Sequence, residues 1–332
     1  MKIAVDAMGG DNAPKAVVEG ALRAAKELKD TTIVLYGDQE QIKSFLLETP
    51  KNIEIIHTSE KIHGDDDPVR AVRRKKDSSM VRAARDTKEG AIDALVSAGN
   101  TGALLAAGTL IVGRIRGIDR PALMTTFPSL YSDDTFLFMD LGANADCKPI
   151  NLEQFAVLGS YYSKTMHQKN NPTVGLLNNG TEDNKGNDLA KKSFDLLKGN
   201  ESINFIGNVE AKELLKAPAN VIITDGFTGN AVLKTLEGTA KGVIDVIKST
   251  IKQGSLKTKL GGLMIKDDLS SIKDVMDYSK LGGAILFGVK APVIKTHGSA
   301  NSEAIYHTIK QAKDILNTDV IADLTKYFEK IK

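Results

Sequence analysis

This sequence predicts an α/β fold, a mainly parallel sheet with helices on both faces. Short, continuous apolar runs recur along the chain, as strands buried on both faces require. Helical patterns lie between most of them. Two turns rich in Gly, Asn and Thr each join an apolar run to a helical one, the connection such sheets use at strand C-termini.

The strand-like runs fall at 3–5, 32–36, 53–56, 94–96, 122–126, 135–139, 173–177, 221–223 and 284–287, with a further strand in 290–301. The clearest helical patterns cover 13–28, 79–89, 102–112, 152–167, 185–197 and 228–251. At the first of these, Asp11 or Asn12 is placed to cap and Pro14 fits the opening turn. In 255–276, Leu256, Leu260, Leu263 and Met264 share a helical face beside Lys257, Lys259 and Lys266, and Gly261 and Gly262 interrupt it as a bend would. Two readings stay open there. One is a surface helix packed on the core or on a second subunit. The other is a basic amphipathic tip that touches a membrane or an acyl chain. No repeat or low-complexity tract divides the chain, so one catalytic unit over 1–332 is expected, with a tip projecting at about 255–276.

Composition excludes several classes. A net charge of +2, no Trp and 5% aromatics give no footing for nucleic acid. One cysteine, Cys147, rules out an internal disulfide and a Cys-based zinc site. No uncharged apolar run reaches the roughly 18 residues of a membrane span. The first residues read as a strand rather than a signal peptide. A cytoplasmic protein is expected, with attachment to a membrane surface left open. The P-loop pattern and the three-glycine dinucleotide fingerprint are both missing, and no cofactor or metal is expected. Asp65, Asp66 and Asp67 read as a loop or helix entry before Pro68.

The candidate chemistry sits at strand exits. Ser97, Gly99, Asn100, Thr101 and Gly102 form one turn; Asp225, Gly226, Thr228, Gly229 and Asn230 form the other. Glycine admits a close ligand, and a helix N-terminus offers unpaired N–H groups to an anion. Gly9, Gly10 and Asp11 follow the first strand and read as a helix entry lining a site. Asp140, Asn144 and Asp146 shape a polar exit, beside a Cys147 read as buried and structural. Asn178 and Lys185 flank another exit, and Lys185 could balance anionic charge. Of five histidines, His297 is the best placed for chemistry. The basic run Arg70, Arg73, Arg74, Lys75, Lys76, Arg82 and Arg85 is either a solvated face or a docking surface for an acidic partner.

Taken together, these segments resemble the PlsX family of phosphate acyltransferases. The carriers are Met8-Gly-Gly-Asp11, Lys75 to Met80, Ser97 to Ala103, Asp140 to Asn144, Gly175 to Asn178 with Lys185-Gly186, Asp225 to Asn230 and His297 to Ser299, in order over nearly the whole chain. The resemblance implies a three-layer α/β/α fold like that of phosphate acetyltransferases and isocitrate-dehydrogenase-like enzymes, and a homodimer. It implies acyl transfer from acyl carrier protein to inorganic phosphate. The acyl phosphate product would feed a glycerol-3-phosphate acyltransferase in phosphatidic acid synthesis. It also implies peripheral membrane association through the 255–276 tip.

On this reading phosphate attacks the thioester directly, with Lys185, Asn230 and His297 as the catalytic residues. The nearest rival is a phosphate acetyltransferase using acetyl-coenzyme A. A metal-dependent dehydrogenase and a membrane-surface scaffold are further alternatives. Which glycine turn holds phosphate and which the thioester is left open.

Overall fold

The computed structural model describes residues 1–46, 50–265 and 282–330. Lys266 and the rest of the expected tip, 266–276, lie outside the described residues. The strands are β1 Lys2–Asp6, β2 Thr32–Gly37, β3 Ile53–His57, β4 Ala94–Ser97, β5 Ala122–Pro128, β6 Thr135–Met139, β7 Thr173–Asn178, β8 Asn204–Glu210, β9 Val221–Ile223, β10 Ala284–Phe287 and β11 Val293–Lys295. They form one sheet in the order β3-β2-β1-β4-β11-β10-β5-β6-β9-β7-β8. The helices are α1 Lys15–Glu27, α2 Gln39–Lys43, α3 Pro68–Arg74, α4 Ser79–Lys88, α5 Thr101–Ala107, α6 Pro149–Met166, α7 Asp188–Gly199, α8 Gly226–Gln253, α9 Leu256–Met264, α10 Ser302–Leu316 and α11 Val320–Lys330.

The sheet is two parallel blocks. Strands β3, β2, β1, β4 and β11 make one; β6, β9, β7 and β8 make the other. Three antiparallel pairings through β10 and β5 join them, so the blocks point in opposite directions. The register then does something specific. Val5, Val96, Ile294, Ile285, Met124, Met139, Ile223 and Leu176 lie on a single rung. Asp6 and Ser97 come one residue past that rung in the first block. Asp140 and Thr224 come one residue past it in the second. The strand ends of the two blocks therefore approach one line across the sheet from opposite sides.

Side chains alternate across this sheet as the pleat dictates. Ile3, Val5, Val96, Met139, Ile223 and Ile294 face one side, with α1, α6 and α10, in a core cluster drawn from both blocks. Ala4, Leu95 and Val293 face the other, where α3, α4 and α5 cover the first block. Phe136, Phe138 and Ile222 belong to a separate cluster on that side, which meets α8 through Val232, Leu233 and Leu236. The core is thus continuous on one face and split on the other, between α5 and α8.

Most expected elements form within a few residues of the predicted bounds, and four differ. Strand β8 was not expected: it pairs on one side only and carries Asn204, Gly207 and Asn208, so it lacks a buried strand's apolar run. The helix expected from 185 begins at Asp188, because the Asn187 side chain accepts from Ala190 N at 2.9 Å. Lys185 stays in the loop before it. The helix expected over 102–112 is α only to Ala107 and becomes a π-turn over Gly108–Gly113. Neither Asp11 nor Asn12 caps α1; Pro14 takes the cap position, and the Asn12 amide donates to the carbonyls of Ser299 and Ala300 at 3.1 and 3.2 Å.

The closest approach between elements is at Gly229, where a Cβ would stand 1.9 Å from the Asp140 carbonyl oxygen. Replacing Gly229 with Ala must push the first turn of α8 off the sheet. We expect a loss of about 2–4 kcal/mol, as for other overpacked sites, read as a lowered thermal midpoint against wild type.

Candidate active site

In the first block everything is built on Asp6. This buried carboxylate accepts from Ser79 Oγ at 2.5 Å, Ser97 Oγ at 2.7 Å and Met8 N at 3.3 Å. Burial pushes its pKa up, and these hydrogen bonds act against that rise. The turns after β1 and β4 then meet over it. A Cβ on Gly9 would fall 2.5 Å from Asp6 Oδ2 and 2.8 Å from Gly99 N, so only glycine fits. Gly99 N in turn donates to Ser97 Oγ at 3.0 Å. Asn100 caps α5, accepting from Ala103 N at 3.0 Å. Its amide donates to the carbonyls of His63, Gly64 and Asp66 at 3.2, 3.0 and 3.1 Å, fixing the loop opposite.

The backbone N–H groups of Thr101 and Gly102 remain. They belong to the first turn of α5 and have no partner among the described residues, as helix geometry requires. Both residues line a cavity of about 470 Å³ together with Gly10, Asp11, His63 and Lys295. The positive end of a helix and an amine thus face one space.

The second block repeats the plan around Asp140. Its buried carboxylate accepts from the backbone N–H of Leu123, Gly142, Ala143 and Asn144 at 3.0, 3.2, 3.0 and 2.8 Å, and from Asn144 Nδ2 at 2.8 Å. The Asn144 carbonyl accepts from Gly226 N at 2.8 Å. Asp225 caps α8, accepting from Thr228 N at 2.9 Å and from its hydroxyl at 2.8 Å. Gly229 N goes to the Asp225 carbonyl at 2.9 Å. The first turn of α8 is therefore almost fully used by its own cap. What it presents instead is Asn230, an exposed side chain with no hydrogen-bond partner among the described residues.

Asn230, Thr101, Lys295, His297 and Gly298 all line one cavity of about 220 Å³ under the start of α8. The two predicted turns are brought together there. His297 Nδ1 accepts from Ser299 N at 3.3 Å and lies 2.8 Å from Ser299 Oγ. That places the proton of the neutral ring on Nε2.

Lys295 belongs to both cavities. Its amine is buried at the end of β11 and donates to the Ala98 carbonyl at 3.3 Å and to the Thr296 carbonyl. Among the described residues no carboxylate lies within ion-pair distance of it. Burial pulls its pKa down to about 8, and Asp6 and Asp11 hold that fall back. Sequence reading passed over Lys295. The signal was present: a lysine ending an otherwise buried run, two residues before His297.

The structure does not bring Lys185 to this line. It stands in the loop after β7, half exposed, 3.7 Å from Glu182. Its neighbours Asn178 and Gly186 line a different cavity, of about 380 Å³, with Asp225 and Thr228. Asn178 is spent on structure, donating to the Lys185 carbonyl at 3.1 Å and to Asn208 Oδ1 at 3.0 Å. Ser97, Asn100, Asn144, Asp225 and Thr228 are likewise engaged within the protein, as described. Cys147 is half-buried and donates to the Asn144 carbonyl at 3.5 Å; burial and Asp140 push its thiol up to about 12. It stays protonated and is no nucleophile. Asp66 holds Lys75 at 2.5 Å and Asp67 caps α3, so the acidic triplet is a helix entry.

A family model described as fatty acid synthesis protein matches residues 1–323. A phosphate acyltransferase of Enterococcus faecalis is 56% identical over 330 residues, 99% of each chain. One of Streptococcus uberis is 54% identical over 329 residues, 99% of this chain and 98% of that one. The chain belongs to the PlsX family of phosphate acyltransferases. Solved structures share the fold. A phosphotransacetylase from Streptococcus pyogenes superposes with a TM-score of 0.60 at 20% identity, covering 95% of this chain and 94% of that one. A branched-chain phosphotransacylase from Enterococcus faecalis gives 0.58 at 13% identity, covering 95% and 98%.

A phosphate acyltransferase must hold an anion beside an acyl donor. Lys295 stands where two cavities meet, and its titration is separable from the rest of the enzyme. Its ordinary value is 10.5 and its folded value about 8, so between these the unfolded chain binds a proton that the folded one does not. Stability gained from this group therefore rises with pH across that window. Between pH 8 and 10, wild type should gain about 2–3 kcal/mol relative to Lys295→Met, measured as the difference in urea midpoints.

Proposed function

We propose that this chain transfers a long-chain acyl group from acyl carrier protein to inorganic phosphate. The product is acyl phosphate, supplied to a glycerol-3-phosphate acyltransferase for phosphatidic acid synthesis. One observation carries the reading: Lys295 and the two open amides of α5 face Asn230 and His297 across one line, with no activated nucleophile among them. Phosphate must then attack by itself.

The free and the spent amides support a division of labour between the two turns. The α5 turn keeps free N–H groups and adjoins Lys295, so it holds phosphate. The α8 turn has consumed its own, so it offers the Asn230 amide to the thioester oxygen. A phosphate oxygen attacks the carbonyl carbon, the C–O bond forms, and Asn230 stabilises the oxyanion. The C–S bond breaks, and the sulfur leaves as a thiolate that accepts a hydrogen bond from His297 Nε2–H. Lys185 joins from the neighbouring loop. Its exposed pair with Glu182 holds it by only about 0–1 kcal/mol, so it is free to turn toward the reactants.

For the acidic carrier the candidate footprint is α3. Arg70, Arg73, Arg74 and Lys76 are exposed and carry no ion pair among the described residues. Arg82 is already paired with Asp77 at 2.9 Å and Arg85 is half-buried, so the free charge lies N-terminal to them. Of the 28 residues of α8 only Gly226 and Gly229 are buried, and Val243, Val246 and Ile247 are exposed along it. We assign that stripe to a homodimer. Leu256, Leu260, Leu263 and Met264, 79, 62, 69 and 83% exposed, we assign to a membrane surface, which gives peripheral association to a protein with no membrane-spanning helix among its described residues.

Free carrier protein should be released from a long-chain acyl carrier only when phosphate is added, with hydroxylamine-trappable acyl phosphate in equal amount. Lys185→Ala, Asn230→Ala and His297→Ala should each lower kcat/KM at least about tenfold, and Asn230→Ala about 10²-fold. Wild-type rates in all three, with folding intact, would overturn the site. The KM expressed for the phosphate dianion should be flat below pH 8 and climb above it as Lys295 loses its charge, a limb that Lys295→Met lacks. Reversing Arg73 and Arg74 to Glu should raise the KM for the carrier thioester and leave that for phosphate unchanged.

A further inference from the structure

A cavity of about 500 Å³ runs along α5 on the side away from Lys295, walled by Val69, Leu105, Ala106, Leu110 and Leu286. We propose that this groove holds the alkyl chain of the acyl donor, an inference that rests on the acyl-transfer reading above.

The groove is continuous with the reacting line at two points. Gly102, whose N–H faces the phosphate cavity, also lines the groove. Gly142 lines it from the other wall, and a Cβ there would touch the Asn230 Cβ at 3.4 Å. A carbonyl carbon between the α5 amides and Asn230 therefore has an apolar exit beside it. Both walls carry glycine where the exit opens. A Cβ on Gly102 would meet Pro68 Cγ at 2.6 Å.

Beyond the exit the apolar wall stays open to solvent. Leu110 is 57% exposed and Val69 43%. The turn that presents Leu110 is the π-turn Gly108–Gly113, an irregularity that occurs frequently at functional sites. Arg114 and Arg120 line the same groove and lie beyond Leu110 in the chain. From Gly102 to Leu110 the helix advances about 12 Å. An extended alkyl chain, gaining ~1.25 Å per methylene, covers that with about ten carbons. A short acyl group does not reach Leu110, and a long one does. Each methylene buried is worth roughly a factor of four in affinity.

The experiment uses a blocking variant and a reporter. Ala106→Phe fills the groove about halfway along. It should lower kcat/KM for a hexadecanoyl carrier thioester at least tenfold and leave that for the butyryl thioester within about twofold. Equal loss on both, or on neither, overturns the groove. The chain has no tryptophan, so Leu110→Trp supplies a lone indole at the rim. Its fluorescence should be quenched by 16-bromohexadecanoate and recover when Ala106→Phe is added. Absence of quenching overturns the proposal whatever the enzyme's reaction is. If wild type shows no phosphate-dependent turnover of any thioester and quenching persists, the reaction assignment fails and the alkyl groove stands.

Discussion

Two parallel blocks of opposite direction share one rung of the sheet, and the rest of the molecule follows from that register. A parallel block gathers its ligand-binding turns at the strand C-termini. In a sheet of one direction all such turns line a single edge. Here the antiparallel strands β10 and β5 reverse the second block and stagger it, so Ser97 and Asp140 leave one line from opposite sides. A shift by one residue would turn every side chain to the other face. The Asp6 and Asp140 carboxylates would leave their donors, and the turns that rest on them would separate.

Those two carboxylates explain why so many polar residues near the site serve the scaffold. A buried acid costs several kcal/mol unless its lone pairs are filled. Asp6 recruits Ser79 and Ser97; Asp140 recruits four backbone amides and the Asn144 side chain. The groups they recruit are no longer free for a ligand. A helix N-terminus obeys the same economy. α8 spends its amides on Asn144 and Asp225, and α5 leaves two open. Two turns alike in sequence therefore differ in what they can bind.

The architecture was legible because it rests on local pattern. Apolar runs such as 94–96 and 221–223, each followed by Gly, Asn and Thr, specify strand, turn and helix without help from distant residues. The β8 strand was not legible, because its stability comes from its pairing with β7 rather than from its own residues. The same limit applies at the site. Nothing local distinguishes Ser97, bound to Asp6, from a free hydroxyl, or Asn100, holding the 63–66 loop, from a ligand contact. Lys295 carries one local sign, its place at the end of an apolar run two residues before His297, but its burial arises from the fold. Asn230 stands out because nothing nearby in sequence absorbs its side chain, whereas His297 is held at Nδ1 by Ser299 two residues on.

A buried lysine without an ion-pair partner is a cost that the unliganded fold carries. Desolvation pulls its pKa down to about 8, which says that the charged form is disfavoured where it stands. An anion arriving at the α5 turn reverses that balance, because it supplies the opposite charge at low dielectric. Binding then draws on energy already stored in the empty site, and it draws most when the ligand is most negative. Phosphate meets this condition and a neutral thioester does not. In the proposed mechanism the same asymmetry orders the two reactants: the dianion goes to the Lys295 end, and the carbonyl, which gains charge only as it is attacked, goes to the uncharged amide of Asn230. A nucleophile that brings its own charge needs no base to make one, which is consistent with a cysteine held neutral.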